Sequence, residues 1–551
     1  MRIGRGVLLG VPAVFLLVFF ALPVGTIVLT GLRPEGSLDL GVVPRVLGDP
    51  VVRRVAWFTL WQAVASTVLT LLVGLPGAYL LARVKFPGRA AVRAAVTVPF
   101  VLPTVVVGSA FLAVLGPRSP VNTALTAVFG EGAPSLDLRR TVTAILIAHV
   151  FFNYAVVVRT VGGLWSLLDP RLEEAARTLG ASRWQVLREV SWPLVRPAVA
   201  SAAAIVFLFT FTSFGVVLIL GGVARATIEV EIYRATVQLL DLPLASVLAL
   251  LQLAAVSAAL LVYGRLQRRV TAQPLRSAAS TARPPRTMGE RTFLAVNLAV
   301  IAVLLVLPLA VLVERSLATD AGYGWDHYTA LFGSTRNTVL AVAPLEAIRN
   351  SVLYGLAATL VALVVGGCAA TVAARPGWTG RTLDRALMLP LGTSAATIGF
   401  GFLIALSRPP VDLRGSWLLI PAAQALIAVP FVVRTLLPVL RSIDQRLREA
   451  AAVLGAPPRR VWREVDLPIV GRALLGAAGF SFAIAVGEFG ATVFLARGQT
   501  PTMPVAIFRL LGRPGIANFG QAMAMATILM AVTAGAIATI DRLRVGQVGR
   551  F

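Results

Sequence analysis

The sequence predicts an all-α polytopic membrane protein of about 12 transmembrane helices, built as two tandem six-span repeats. Three observations carry that prediction. The composition is 57% hydrophobic and 14% charged, with a mean hydropathy of +0.83, whereas soluble domains are about a quarter charged. Apolar runs of roughly 20 residues recur along the chain, the length that crosses a bilayer core of about 30 Å. A polar segment also occurs twice at one offset, since 449 − 174, 455 − 180, 464 − 189 and 468 − 193 all equal 275.

In the first half, Arg2 and Arg5 precede an apolar run over residues 7–32. It is longer than the core of a cleavable leader and lacks a small-residue cleavage site, so it reads as a first span with its N-terminus inside. A second span, 56–82, ends at Arg83, Lys85, Arg89 and Arg93, a cytoplasmic loop by its charge. The third, 92–116, contains Pro99 and Pro103 and is expected to kink. Residues 117–140 are polar and turn-rich and fall outside. Spans at 141–163, 194–222 and 245–264 complete a first transmembrane domain over residues 1–264.

Residues 265–292 read as a cytoplasmic linker, rich in Arg and containing Pro284-Pro285, with too little apolar surface to pack. A second domain, 293–551, repeats the plan with spans near 293–317, 350–374, 384–406, 417–440, 468–496 and 518–540. Arg542, Arg544 and Arg550 place the C-terminus inside, so both termini are cytoplasmic. The offset of 275 also relates Arg159 to Arg434, Asp169 to Asp444, Ser213-Phe214-Gly215 to Glu488-Phe489-Gly490, and Ile232-Tyr233-Arg234 to Ile507-Phe508-Arg509. Six spans is an even number, so the halves share one orientation. A pseudo-twofold axis along the membrane normal follows, with a translocation path on it.

The net charge of +25 would suit nucleic acid, but the positive residues sit in short loops between spans, so the expected partner is the lipid bilayer. The lone Cys368 lies in an apolar run, and His149 and His327 make no ligand spacing, so no metal site is expected. No cluster of His, Asp, Ser or Cys stands at catalytic spacing, so the chain does not read as an enzyme. Lys85, the single lysine, is followed by Phe86-Pro87 and cannot serve a phosphate-binding loop. No cofactor is expected in this chain. Any ATP would be used by another polypeptide.

Each copy of the repeated segment, 169–193 and 444–468, reads as two short helices meeting at a glycine. Glu174-Ala175-Ala176 and Glu449-Ala450-Ala451 favour helix. Gly180 and Gly455 suit a helix stop, and Pro193 and Pro468 suit the first turn of the next span. An ordinary interfacial helix–turn–helix would explain one copy. Two copies that share the glycine, the downstream Arg-Glu and the proline suggest a handle gripped from the cytoplasm.

This pattern resembles the "EAA" loop of permeases in binding-protein-dependent ABC importers, with Trp192 where Leu467 stands in the second copy. The resemblance covers both halves and implies a fused permease carrying two coupling helices. It further implies two copies of a cytoplasmic ATPase as partners, an extracytoplasmic substrate-binding protein, and residence in the plasma or inner membrane. The layout is most similar to the thiamine and iron(III) branch. Ser213 through Gly222, Thr227 through Tyr233 and Gly487-Glu488-Phe489-Gly490 look most like thiamine permeases, although Asp is the commoner acid at the position of Glu488. Thiamine leads as the solute and ferric iron follows.

Ionisable groups inside spans are costly and need a partner or a function. Glu488 could face the pathway and meet a cation, or pair with an Arg such as Arg497, the pairing being slightly preferred. Ser213 stands at the equivalent place in the first half. His149 and Gln424 are themselves equivalent (424 − 149 = 275) and serve either the pathway or helix–helix hydrogen bonding. From a different class, an ion-gradient-driven secondary transporter would explain the spans and an intramembrane acid, but not the duplicated loop.

Overall fold

The computed structural model describes residues 2–33, 36–39, 41–117, 119–130, 135, 137–222, 224–270, 282–320, 322–333, 340–375, 377–408 and 411–545. Linker positions 271–281 and Arg550 therefore lie outside the described residues. Ten helices among the described residues are long and apolar enough to cross a membrane. In the first half these are α1 (Gly6–Leu32), α2 (Pro50–Arg83), α6 (Val142–Leu167), α8 (Val186–Phe211) and α11 (Leu242–Gly264). In the second they are α12 (Met288–Leu317), α13 (Pro344–Ala373), α16 (Leu419–Ser442), α18 (Pro458–Gly487) and α21 (Ile516–Thr539).

The third and ninth apolar segments are broken. In the third, Arg89–Val101, which begins with α3 (Arg89–Thr97), meets α4 (Thr104–Val114) at 108°. Pro99 lies in a 3-10 turn and Pro103 caps α4. A proline has no N–H to continue the ladder and disfavours helix in the residue before it, so two of them four apart turn the expected kink into a break. The ninth breaks likewise between α14 (Trp378–Met388) and α15 (Ala395–Ala405), around Pro390. These segments repeat at a different offset, since 395 − 104, 405 − 114 and 390 − 99 all equal 291. The difference from 275 falls where the first half carries α5 (Pro120–Phe129) and the second a small hairpin, Ser407–Arg408 against Val411–Asp412.

Helix ends are satisfied locally. The Asp49 carboxylate accepts from the Val51 N–H at 2.7 Å to start α2, and Arg89 and Arg93 donate to the Leu81 carbonyl at 2.7 and 2.9 Å at its other end, where cations also meet the negative end of the helix. Thr287 and Glu290 form a capping box at the start of α12. The described end of the linker packs, contrary to its composition. Arg283 donates its N–H to the Arg83 carbonyl at 3.1 Å and accepts from Lys85 N–H at 2.9 Å, which pins it beside α2.

Packing is reciprocal. α2, α6 and α8 form one three-helix cluster and α13, α16 and α18 its counterpart. Small residues let these helices approach. Tyr154 Oη of α6 fills the space that a Cβ on Gly77 of α2 would need, and Val432 of α16 lies against Gly366 of α13 in the same way. α1 packs on α15 of the other half, and α12 packs on α4. Each half's first span is thus held by the other half's broken span, an exchange that a twofold relation generates and a simple string of helices does not.

Candidate functional site

The repeated loops fold alike. α7 (Pro170–Thr178) is capped by Asp169, which accepts from Arg171 N–H at 3.0 Å. α17 (Gln445–Val453) is capped by Asp444, which accepts from Arg446 N–H at 2.9 Å. Both end in a Schellman turn. Gly180, at φ +86, donates to the Arg177 carbonyl at 2.9 Å, and Ala181 donates to that of Ala176 at 3.0 Å. Gly455, at φ +81, and Ala456 do the same to Ala452 and Ala451, both at 3.0 Å. Only glycine adopts that backbone without strain. Glu174 and Glu449 are exposed, Ala176 and Ala451 half-buried, and Pro193 and Pro468 lie in the first regular α-helical turn of α8 and α18, just past a π-helical stretch.

Beyond each turn the chain enters the next span through a π-helical stretch, Val186–Ser191 or Trp462–Asp466. The tips are apolar and bare: Leu179 is 89% exposed, Val453 87% and Leu454 86%. Trp184 and Trp462 are exposed beside them. Large apolar side chains left this exposed on a loop suit an interaction face.

A cavity of about 370 Å³ lies between the halves. It forms where α8 breaks at residues 212–214 before α9 (Gly215–Leu220), and where α18 breaks at Glu488 before α19 (Thr492–Leu495). Gly215 is required at the first break, because a Cβ there would collide with Thr104 of α4. Ser213, His149 and Glu488 all line the cavity. His149 bridges two hydroxyls, Ser66 Oγ at 2.9 Å from Nδ1 and Ser213 Oγ at 2.8 Å from Nε2. It therefore serves helix–helix bonding and the cavity wall together. Gln424 does neither: it is buried in α16, its Oε1 meets no donor among the described residues, and it does not line the cavity.

Glu488 makes no ion pair with Arg497. Its carboxylate accepts from the N–H groups of Ala491 at 2.7 Å and Thr492 at 3.0 Å, and from the Thr492 hydroxyl. The backbone turns back after α18, and the nearest donors are the unpaired amides of α19, which satisfy the acid more cheaply than a distant guanidinium could. Sequence reasoning missed a second acid. Glu229, at the start of α10 (Ile228–Tyr233), also lines the cavity and accepts from Gln252 Nε2 at 3.1 Å. A glutamate inside the apolar run that follows the first break was the available signal.

A second cavity, of about 860 Å³, contains Arg159 and Thr160 of α6, and so lies toward the coupling-loop end of that helix. Phe100 and Phe209, whose rings are 6.3 Å apart, belong to the walls of both cavities.

A family model described as the binding-protein-dependent transport system inner membrane component matches residues 74–272. The thiamine transport system permease protein of Brucella abortus is 29% identical over 514 residues, covering 90% of this chain and 88% of that one. That of Escherichia coli K12 is 27% identical over 479 residues, 84% of each chain. The sulfate transport system permease protein of Escherichia coli K12 is 31% identical over 265 residues, which is 47% of this chain and 91% of that one.

Proposed function

The chain belongs to the family of binding-protein-dependent transport system inner membrane components, and from that premise we propose that the solute it carries inward is thiamine. In this reading residues 1–264 and 293–551 are the two permease halves, joined by 265–292, with both termini in the cytoplasm. Two copies of a cytoplasmic ATPase grip α7 and α17, with Glu174, Ala175, Ala176, Gly180 and Pro193 forming one coupling element and Glu449, Ala450, Ala451, Gly455 and Pro468 the other. ATP is bound and hydrolysed by those partners. An extracytoplasmic binding protein delivers the solute.

The observation that carries the ATPase coupling is the pair of loops with the same caps, the same Schellman turns and bare apolar tips. A short helix closed at both ends moves as a body, so closure of two motor subunits would be passed to α8 and α18 and shift the balance between two packings of the spans. Thiamine is supported by relatives of that name that match across nearly the whole chain.

The test is uptake into proteoliposomes holding this chain, its ATPase and its binding protein. ATP-dependent accumulation of thiamine is expected. Accumulation of ferric iron in its place would overturn the solute, and uptake driven by an ion gradient without ATP would overturn the coupling.

A further inference from the structure

The central cavity has the volume of a small-molecule site, within the usual range of about 300–1,000 Å³. Its wall is also specific. Glu229 from the first half and Glu488 from the second, 1% and 8% exposed, bring two carboxyl groups to it. Among the described residues no Arg or Lys lines it. The rings of Phe100, Phe209, Phe214 and Phe489 complete the enclosure.

Asn153, 4% exposed, adds an acceptor to the same wall. Its amide nitrogen donates to the His149 carbonyl at 2.9 Å, while its Oδ1 accepts from no donor among the described residues. That oxygen is open to the cavity and can accept from a molecule held there.

We infer that this cavity is a solute site in its own right, taking a flat aromatic cation that carries an N–H donor, with Glu229 as the residue that reads its charge. The roles divide by what each group has left to offer. Both oxygens of Glu488 are engaged by the start of α19, so it contributes negative field. Among the described residues Glu229 is met only by neutral groups, Gln252 Nε2 at 3.1 Å and the Ser394 hydroxyl, so its charge is left for a positive ring to answer. The aromatic rings hold the flat body and add cation–π attraction, and Asn153 Oδ1 takes the N–H. The site rests on the importer reading only in that thiamine, whose thiazolium is a flat aromatic cation and whose pyrimidine carries an amino group, has this chemistry.

The test is equilibrium binding to the full chain in lipid nanodiscs, with neither ATPase nor binding protein present. The probes are thiamine, its neutral aminopyrimidine fragment, and benzyltrimethylammonium. Thiamine should bind saturably, the neutral fragment roughly tenfold more weakly or worse. E229Q should lose about tenfold in affinity, while E229D, which keeps the charge, should recover most of it. Thermal unfolding of both variants separates lost binding from lost folding. Equal affinity of wild type and E229Q would overturn the assignment, as would equal affinity for the neutral fragment, or no binding of either cation. Glu229-dependent binding of benzyltrimethylammonium without thiamine would uphold the charge reading by Glu229 but overturn the N–H contact with Asn153 and remove thiamine as the solute.

Discussion

Phe214 and Phe489 occupy the same position in the two halves (489 − 214 = 275), and their rings stack on one another 5.7 Å apart with planes inclined by 24°. Tyr233 and Phe508 are likewise equivalent and meet edge-on at 6.5 Å. Each ring also touches its own half's neighbour, Phe214 with Tyr233 at 5.8 Å and Phe489 with Phe508 at 5.4 Å. A residue can touch its own symmetry mate only close to the axis, so the pseudo-twofold axis runs through this aromatic quartet. The quartet follows the far ends of α8 and α18, away from the coupling loops, and its Phe214–Phe489 pair forms part of the cavity wall.

Removing the stack should loosen the packing of the halves at this wall. An aromatic pair adds about 0.5–1.5 kcal/mol beyond its buried area, and about 1.4 kcal/mol moves a two-state balance tenfold. The double variant F214A/F489A is therefore expected to raise ATPase activity without binding protein by several-fold, up to roughly tenfold, and to admit solute from the outside unaided. Unchanged basal activity in proteoliposomes would show that the closed state does not depend on these rings.

Much of this arrangement was legible beforehand, and the illegible parts have physical causes. From His149 onward the halves keep one spacing, so the loops, the residues around Ser213 and Glu488 and the aromatic pairs could be matched by subtraction, although the spans expected over 194–222 and 468–496 in fact break at those residues. Upstream, the offset becomes 291 and the match thins to scattered pairs such as Pro99, Gly108, Phe111 and Leu112 against Pro390, Gly399, Phe402 and Leu403. Hydropathy finds the third and ninth segments but not their breaks, because an apolar run reads the same straight or bent. The partner of Glu488 was misjudged because a sequence shows charged side chains and conceals unpaired backbone amides. Glu229 was overlooked because its helix is too short to register as a span.

The turns at Gly180 and Gly455 should fail by strain alone. Nothing lies within 4 Å of a Cβ built at either position, so a side chain would fit. The left-handed backbone, however, costs an L-residue about 1–2 kcal/mol, more for a β-branched one. G180V and G455V are expected to fray the ends of α7 and α17 and to lower ATP-driven uptake, with near-normal membrane insertion. Asn, which tolerates this conformation, should be milder. Full uptake by the double valine variant would remove these turns from the coupling path.

The joint behind each coupling helix is built from opposite charges in the two halves. Ser191 Oγ donates to Glu173 Oε1 at 2.9 Å, and Glu173 pairs with buried Arg83 at 3.3 Å. At the same two positions in the second half (448 − 173 and 466 − 191 both equal 275), Arg448 Nε donates to Asp466 Oδ1 at 2.7 Å. E173A would strand the guanidinium of Arg83, at roughly 3 kcal/mol. Losing the more exposed Arg448 should cost no more than about 1 kcal/mol. Thermal unfolding of the two variants should show that order, and R448D/D466R should restore what R448A loses. Equal costs would mean that Arg83 finds another partner.

His149 tests whether a residue in the cavity wall acts as a strut or as a contact. Its ring joins Ser66 of α2 to Ser213 at the break after α8, and an imidazole can donate from one nitrogen and accept at the other while the hydroxyls rotate to suit. H149A would leave buried hydroxyls without that partner, at about 1–3 kcal/mol. H149Q keeps one donor and one acceptor, and the second half already carries Gln424 at this position. The expected result is lowered thermal stability in H149A, substantial recovery in H149Q, and a KM for uptake that stays near wild type in both. A strut fails by unfolding and a contact fails by affinity, so a raised KM in a stable H149A protein would place the imidazole against the solute instead.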